Sequence, residues 1–242
     1  MALGEGVSDF GEGQAVFGFV MSGAHAEYLV VRADGAVLPV PKGLELRDAA
    51  ALPFGGVSAL VFLRDYARVK PGQKVLIIGA SGGVGAYAVQ IARIMGAEVT
   101  GVASGGNEAL VRDLGAVEFV DYRQQDLGAL ATRFDSVIDT VGVVRFGQIK
   151  HLLTANGVFV PLNFGLREIR QALVSALFGG RRVRIGVSGD TKADLAVLGR
   201  WVTDGQLRPV VDRRFALSDI RAAHAHVEGR HRKGAVLLDM VA

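Results

Sequence analysis

The sequence predicts an α/β protein built on a doubly wound, six-stranded parallel sheet of the Rossmann type, joined by a smaller β-rich portion made from the two ends of the chain. Three observations lead there. The apolar run Val75 to Ile78 meets a glycine turn, Gly79 to Gly85, after which apolar residues recur at helical spacing through Val84, Ala88, Ile91 and Met95. From that point β-rich runs near 74–78, 98–103, 117–120, 135–140, 157–161 and 183–187 alternate with helical segments, as right-handed parallel crossovers require. Finally, 242 residues that are 50% hydrophobic and 21% charged can bury one full core and a lesser one.

Taken in order, Gln14 to Val20 and Glu27 to Arg32 read as short strands, the second ending at the turn Ala33-Asp34-Gly35. Pro39 and Pro41 then mark an extended connector. A helical pattern begins near Asp48, breaks at Pro53-Phe54-Gly55-Gly56 and resumes from Ser58 to Arg68. Ser58 is either an N-cap or a group that hydrogen-bonds a ligand. Val69 to Gln73 is a turn into the first sheet strand. Beyond the sixth strand the alternation stops. Leu195 to Gln206 reads as a helix, Pro209 to Asp212 as a strand, Ser218 to Glu228 as a helix capped by Ser218-Asp219, and Ala235 to Val241 as a strand returning to residues 1–42. The expected division is 46–206 for the dinucleotide-binding domain, with 1–45 and 207–242 forming the β-rich portion.

The glycine spacing has a chemical reading. Gly79 allows a turn closed to other residues, Gly82 lets a pyrophosphate approach the main chain, and Gly85 lets the helix lie close to the strand. The free N–H groups at the helix start then face the phosphates, so Gly79, Ser81, Gly82, Gly83, Val84 and Gly85 are the candidate cradle. The plainer alternative is a structural glycine turn. At the end of the second strand, where NAD-preferring sites carry a carboxylate for the ribose hydroxyls, this chain has Ala103 and Ser104, and the next acid is Glu108. Ser104 and Asn107 can donate to a 2′-phosphate, and Arg123 can add a charge-assisted contact, which points to NADPH rather than NADH. Ser104 and Asn107 also suit a loop followed by a helix cap.

Composition excludes several classes. There is no cysteine, so disulfides, thiolate metal sites and a cysteine nucleophile are out. His224 and His226 splay around a helix, and His25, His151 and His231 are isolated; no metal site is expected. The net charge of +3 is mild and the cluster Arg181-Arg182-Val183-Arg184 reads as a solvated face, so nucleic acid is not an expected partner. The longest uncharged run, Ala49 to Leu63, is too short for a span, and the start lacks a signal-peptide pattern. A cytoplasmic location with no membrane partner is the expectation.

Motifs in order along the chain also carry a resemblance: Phe10 to Gly18, Gly23-Ala24-His25-Ala26-Glu27-Tyr28, Ala49 to Pro53, Gly79 to Gly85, Leu114-Gly115-Ala116, Asp121-Tyr122, Phe134 to Gly142 and Gly234 to Leu238. The chain resembles the medium-chain dehydrogenase/reductase superfamily, within it the zinc-independent quinone oxidoreductases that include zeta-crystallin. That resemblance implies a GroES-like catalytic domain, of which only a part would be present, since about seventy residues precede the fingerprint strand. It places Tyr122 beside the 2′-phosphate, and Val141, Gly142, Asn163, Phe164 and Ser58 near the nicotinamide. Asn107 stands where a lysine is common. The implied activity is zinc-independent hydride transfer from NADPH to a quinone or an activated alkene or carbonyl. No catalytic side chain is assigned; Tyr28 and His25 are the candidate proton donors. A homodimer through the edge strand Val183 to Val187 is implied as well. The competing reading is an NADPH-binding chain whose catalysis is impaired for want of a closed pocket, with RNA binding a distant third.

Overall fold

The computed structural model describes residues 2–177, 179–189, 191–229 and 232–240. His231 and the last residue of the expected final strand, Val241, lie outside them. Two compact units divide the chain: Ser58–Ser188 forms one, and Met1–Val57 with Gly189–Ala242 forms the other.

In the second of these, β1 (Val16–Gly18) pairs antiparallel with β2 (Val37–Pro39). The strand expected over 27–32 does not form. Its β-branched residues have no neighbouring strand among the described residues, and Tyr28 is 83% and Val30 98% exposed. After the single turn α1 (Leu46–Ala49), helix α2 (Leu52–Val61) runs through Pro53 to Gly56, where a break was expected. Pro53 lies in the first turn, where its missing N–H costs nothing. Gly56 is held by packing, because a Cβ there would come within 2.7 Å of Leu198 Cδ1. Ser58 therefore sits inside the helix and is not its N-cap. A π-helical turn, Phe62–Ala67, extends α2 until Arg68 closes it in the left-handed conformation, with φ of 56°.

The sheet follows. Its strands are β3 (Lys74–Ile78), β4 (Glu98–Ala103), β5 (Glu118–Asp121), β6 (Phe134–Asp139), β7 (Leu153–Pro161) and β8 (Arg182–Val183). All five pairings are parallel, in the order β5-β4-β3-β6-β7-β8. Connecting helices are α3 (Gly85–Ile94), α4 (Glu108–Asp113), the short α5 (Phe146–Ile149) and α6 (Leu166–Leu177). Val75, Leu76, Ile77 and Ile78 are all buried because helices cover both faces, which is why this strand reads as an unbroken apolar run. Leu76, Ile78, Val102, Phe134, Val137, Leu152 and Phe159 belong to one continuous core. Strand order reverses across the sheet between β3 and β6, and their C-terminal ends form the topological switch point.

β8 is shorter than the expected 183–187. Tyr66 occupies the space beyond Val183: its hydroxyl donates to Val187 O at 3.0 Å, Arg184 Nη1 donates to Tyr66 O at 2.7 Å, and a Cβ on Gly186 would overlap the tyrosine ring. An edge-pairing strand over 183–187 is thus reduced to two residues.

The chain then enters α7 (Lys192–Thr203), three residues ahead of the expected start because Thr191 Oγ1 caps it, accepting from Asp194 N at 3.1 Å. β9 (Val211–Ala216) and β10 (Ala235–Asp239) pair parallel, linked by α8 (Ile220–Glu228). The strand expected over 209–212 starts two residues later, and neither Ser218 nor Asp219 caps α8 through its side chain. The return of the tail to the start of the chain is physical. Arg214 pairs with Asp48 and donates to Arg47 O at 3.1 Å, while Lys192 donates to Ala33 O at 3.3 Å.

Candidate dinucleotide site

The turn after β3 is built so tightly that side chains are excluded from it. Gly79 has φ of 81°, and a Cβ there would stand 2.4 Å from Val141 Cγ2; a Cβ on Gly85 would fall 1.9 Å from Gly79 O. Gly79 and Ala80 both donate to Val102 O at 3.0 Å, and Gly82 donates to Gly79 O at 2.9 Å. Ser81 is buried, whereas Gly82, Gly83 and Val84 are partly open. Among the described residues the N–H groups of Gly83 and Val84 meet no acceptor, and α3 begins at Gly85 without a side-chain cap. A helix start with open donors over a glycine floor fits an anionic pyrophosphate.

Facing it are the turns after β6 and β7. Asp139, fully buried, accepts from Val141 N at 2.9 Å, Gly142 N at 2.8 Å and Val144 N at 3.0 Å, wrapping Thr140 to Gly142 around one carboxylate. Thr140 Oγ1 donates to Ile78 O at 2.8 Å, tying that turn to β3. Asn163 Nδ2 donates to Val141 O at 3.1 Å and so links the β7 turn to the β6 turn. Phe164 follows at the start of α6, where Gly165 N donates to Glu168 Oε2 at 2.9 Å and Arg167 Nε donates to Glu168 Oε1 at 2.6 Å. Burial pushes the Glu168 carboxyl up, but the Gly165 N–H and the Arg167 guanidinium outweigh it and hold it below the usual carboxylate range.

At the far end of the crevice Asn107 Nδ2 donates to Ser104 Oγ at 3.0 Å, and Asn107 Oδ1 is buried with no partner. The loop-and-cap reading of this pair fits only in part, since Asn107 caps α4 with no side-chain bond. Asp121 reaches the same place from β5: one of its oxygens would lie 2.6 Å from a Cβ on Gly105, and the other accepts from Arg123 N at 3.0 Å. Tyr122 is half exposed, with the Arg123 guanidinium 5.8 Å from its ring centre. A cavity of about 480 Å³ opens beside it, lined by Tyr122, Gln125, Val143 and Gln148 among others.

The predicted residues thus gather along the C-terminal ends of β3 to β7, with Gly79, Thr140, Val141 and Asn163 in direct contact. Ser58 is the exception. It is buried in α2 and among the described residues bonds neither turn. Two residues of the site have no role in the sequence reading: Asp139 and Asp121, each of which belongs to a motif of the resemblance without a function assigned to it. Of the candidate proton donors, Tyr28 is exposed and His25 makes an edge contact with His224, ring centres 5.9 Å apart.

The profile of the zinc-binding dehydrogenase family matches residues 114–238. The chain belongs to that family. Among similar proteins, this zinc-binding dehydrogenase family member is 32% identical to the quinone oxidoreductase of Sus scrofa, over 97% of its own length and 74% of the relative's. It is 32% identical to trans-enoyl reductase pgmF of Aspergillus terreus strain NIH 2624, over 96% and 70%. The solved structure of the quinone oxidoreductase from Coxiella burnetii is similar at 31% identity with a TM-score of 0.77, covering 85% of this chain and 64% of that one. The Rossmann architecture expected from the sequence, and the medium-chain dehydrogenase/reductase membership, are both present. By family the chain is an oxidoreductase of the kind that uses nicotinamide cofactors. Among the described residues no helix is long and apolar enough to cross a membrane.

Proposed function

We propose that this chain is an NADPH-dependent reductase that transfers hydride to a quinone or an activated alkene or carbonyl without zinc. The observation that carries the reading is the pair of polar ends on one crevice: open N–H groups of Gly83 and Val84 over a side-chain-free floor, and the β4 terminus where Ser104 and Asn107 replace a carboxylate. The fit to a dinucleotide rests on those open N–H donors beside a turn packed too tightly for side chains at Gly79 and Gly85; the orphaned Asn107 Oδ1 is an acceptor and suits a hydroxyl or N–H rather than a phosphate oxygen. When bound, the cofactor supplies the hydride. Gly82, Gly83 and Val84 would hold its pyrophosphate; Ser104, Asn107, Tyr122 and Arg123 would hold the phosphorylated ribose. The turns of Val141, Gly142, Asn163 and Phe164 would orient the ring and exclude water, which is most of what a protein must do for an acceptor whose reduced form delocalises its own charge. Two relatives named for quinone and enoyl reduction support that acceptor class. Zinc independence is supported by the lack of cysteine in these 242 residues and of any group of three metal-binding side chains among the described ones.

A second reading has its own observation. The Asp121 carboxylate lies against Gly105, where it would repel a 2′-phosphate or accept from a ribose hydroxyl, as NADH would require. The test is the oxidation of NADPH and NADH by the purified chain with a panel of ortho- and para-quinones and enones. Faster turnover with NADPH is expected. Preference for NADH would transfer the assignment to the Asp121 reading. Binding of NADPH without turnover by folded protein would leave a cofactor-binding chain with no working pocket.

A further inference from the structure

Between α5 and α6 lies a cavity of about 790 Å³, a size that suits a small organic ligand. Its floor is apolar. Phe146 stacks on Phe159 of the core, ring centres 6.2 Å apart, and Ala155 and Val174 continue the apolar lining. Three cations stand around that floor, Lys150, Arg170 and Arg181, and no acidic side chain lines it among the described residues. Nor does any of the three pair with a carboxylate elsewhere among those residues: Lys150 Nζ lies 5.9 Å from the centre of the Phe146 ring, and Arg181 Nε donates to Leu153 O at 2.9 Å. Cations gathered without acids repel one another and favour an anion between them. The same cavity is lined by Gln171, whose Oε1 is buried and meets no donor. A buried acceptor left unpaired is costly, and a ligand that brings a hydroxyl or an N–H removes that cost.

Placement on α6 separates this cavity from the sheet edge. Successive helical residues turn by about 100°, which puts Gln171 about 160° around the helix from Leu173. Gln171 faces α5, whose Phe146 lines the cavity with it, and Leu173 lies on the opposite flank. Arg181 likewise turns in from the edge strand to Leu153 at the start of β7. The edge of β8, where the resemblance puts a second copy, is left outside the site. We infer that this cavity binds an amphipathic organic acid: a flat apolar body against Phe146 and Val174, a carboxylate or phosphate held by the cations, and a hydroxyl or N–H given to Gln171 Oε1. A bare inorganic anion would leave Gln171 unpaired and the apolar floor uncovered, and a neutral molecule would leave the cations uncompensated. The cavity shares no residue with the candidate dinucleotide site, so the inference does not rest on that reading.

The experiment is calorimetric titration of the full chain with three probes: 6-hydroxy-2-naphthoate, 2-naphthoate, which lacks the hydroxyl, and 2-naphthol, which lacks the carboxylate. The first should bind with a Kd of about 1 mM or tighter, the range expected for roughly fourteen non-hydrogen atoms. Loss of either group should weaken binding at least about fivefold, the worth of one hydrogen bond or one exposed ion pair. NADPH should leave the affinity unchanged. Gln171→Leu should bring 6-hydroxy-2-naphthoate down to the affinity of 2-naphthoate without lowering the melting temperature, because it removes the orphaned acceptor along with the contact. Val174→Glu, at a half-exposed position, should abolish binding of both acids by setting a carboxylate among the cations. Equal affinity for all three probes, binding unmoved by Val174→Glu, displacement by NADPH, or no binding at all by protein with an unchanged melt would overturn the inference. So would a Gln171→Leu chain that melts lower and binds all three probes as the parent does, which would make the amide a structural group.

Discussion

Asp139 is the residue on which the nicotinamide-end turn hangs. Asp139→Asn would keep an oxygen for Val141 N and Gly142 N but would point an amide N–H at Val144 N, two donors facing each other at a fully buried position. A buried donor left unmatched costs about 2 kcal/mol, so the melting temperature should fall by roughly 4 to 8 °C, with KM for the dinucleotide rising more than kcat falls. A melt identical to the parent's would refute the role. Asp121 offers a test of cofactor choice. Removing its charge in Asp121→Asn should raise the NADPH-to-NADH ratio of kcat/KM about fivefold or more, since two charges about 4 Å apart interact by about 1 kcal/mol even when fully water-screened; a loss confined to NADH would show that the carboxylate serves a ribose hydroxyl instead. These two acids mark the limit of what is legible at this scale. Gly79 and Gly85 can be found because a tight turn packed under a helix start is nearly the only arrangement that demands missing side chains at that spacing. Asp139 reads as an ordinary strand end, since its partners are backbone groups that any sequence possesses.

Among the elements, strands buried on both faces announce themselves, and those defined by their neighbours do not. β3 and β4 fall where the sequence puts them because apolar runs bounded by turns have little freedom. Residues 27–32 have the composition of a strand but no partner among the described residues, and β8 loses its expected length to Tyr66, more than a hundred positions away. α2 passes through Pro53 because the proline falls in its first turn, a fact of register that composition does not carry. The start of α6 gives a pH-dependent prediction. The folded state lowers the pKa of Glu168, so its ionised form stabilises the Gly165 turn, fully above the ordinary carboxylate value and progressively less as pH falls through the folded value. Chemical denaturation should therefore show Glu168→Gln less stable than the parent at pH 7, by about 1 kcal/mol. The gap should close on acidification below the usual glutamate range. A gap that persists in acid would mean the carboxylate is not what holds the turn.

For the molecule as a whole, the two compact units differ in how their backbones are held, and that difference should appear as stability. In Ser58–Ser188 six strands share a ladder and the central ones are buried on both faces. In the other unit the strands form two separate pairs, and between β1 and β2 the segment around Met21, Tyr28 and Val30 is almost wholly exposed. Amides open locally according to how many buried contacts they would break. Hydrogen exchange should accordingly be slowest in β3, β4 and β6 and fastest across residues 20–32, with β9 and β10 between them. NADPH should slow exchange at residues 79–86 and 139–142, by mass action on the folded form it binds, while leaving residues 20–32 unchanged. Protection of 20–32 equal to that of β3 would mean that this segment is covered in solution by something else, and a second copy of the chain would then be the first candidate. Protection by NADPH that appeared only in the second unit would remove the fingerprint turn from the binding site, and with it the assignment of Gly83 and Val84 as the phosphate donors.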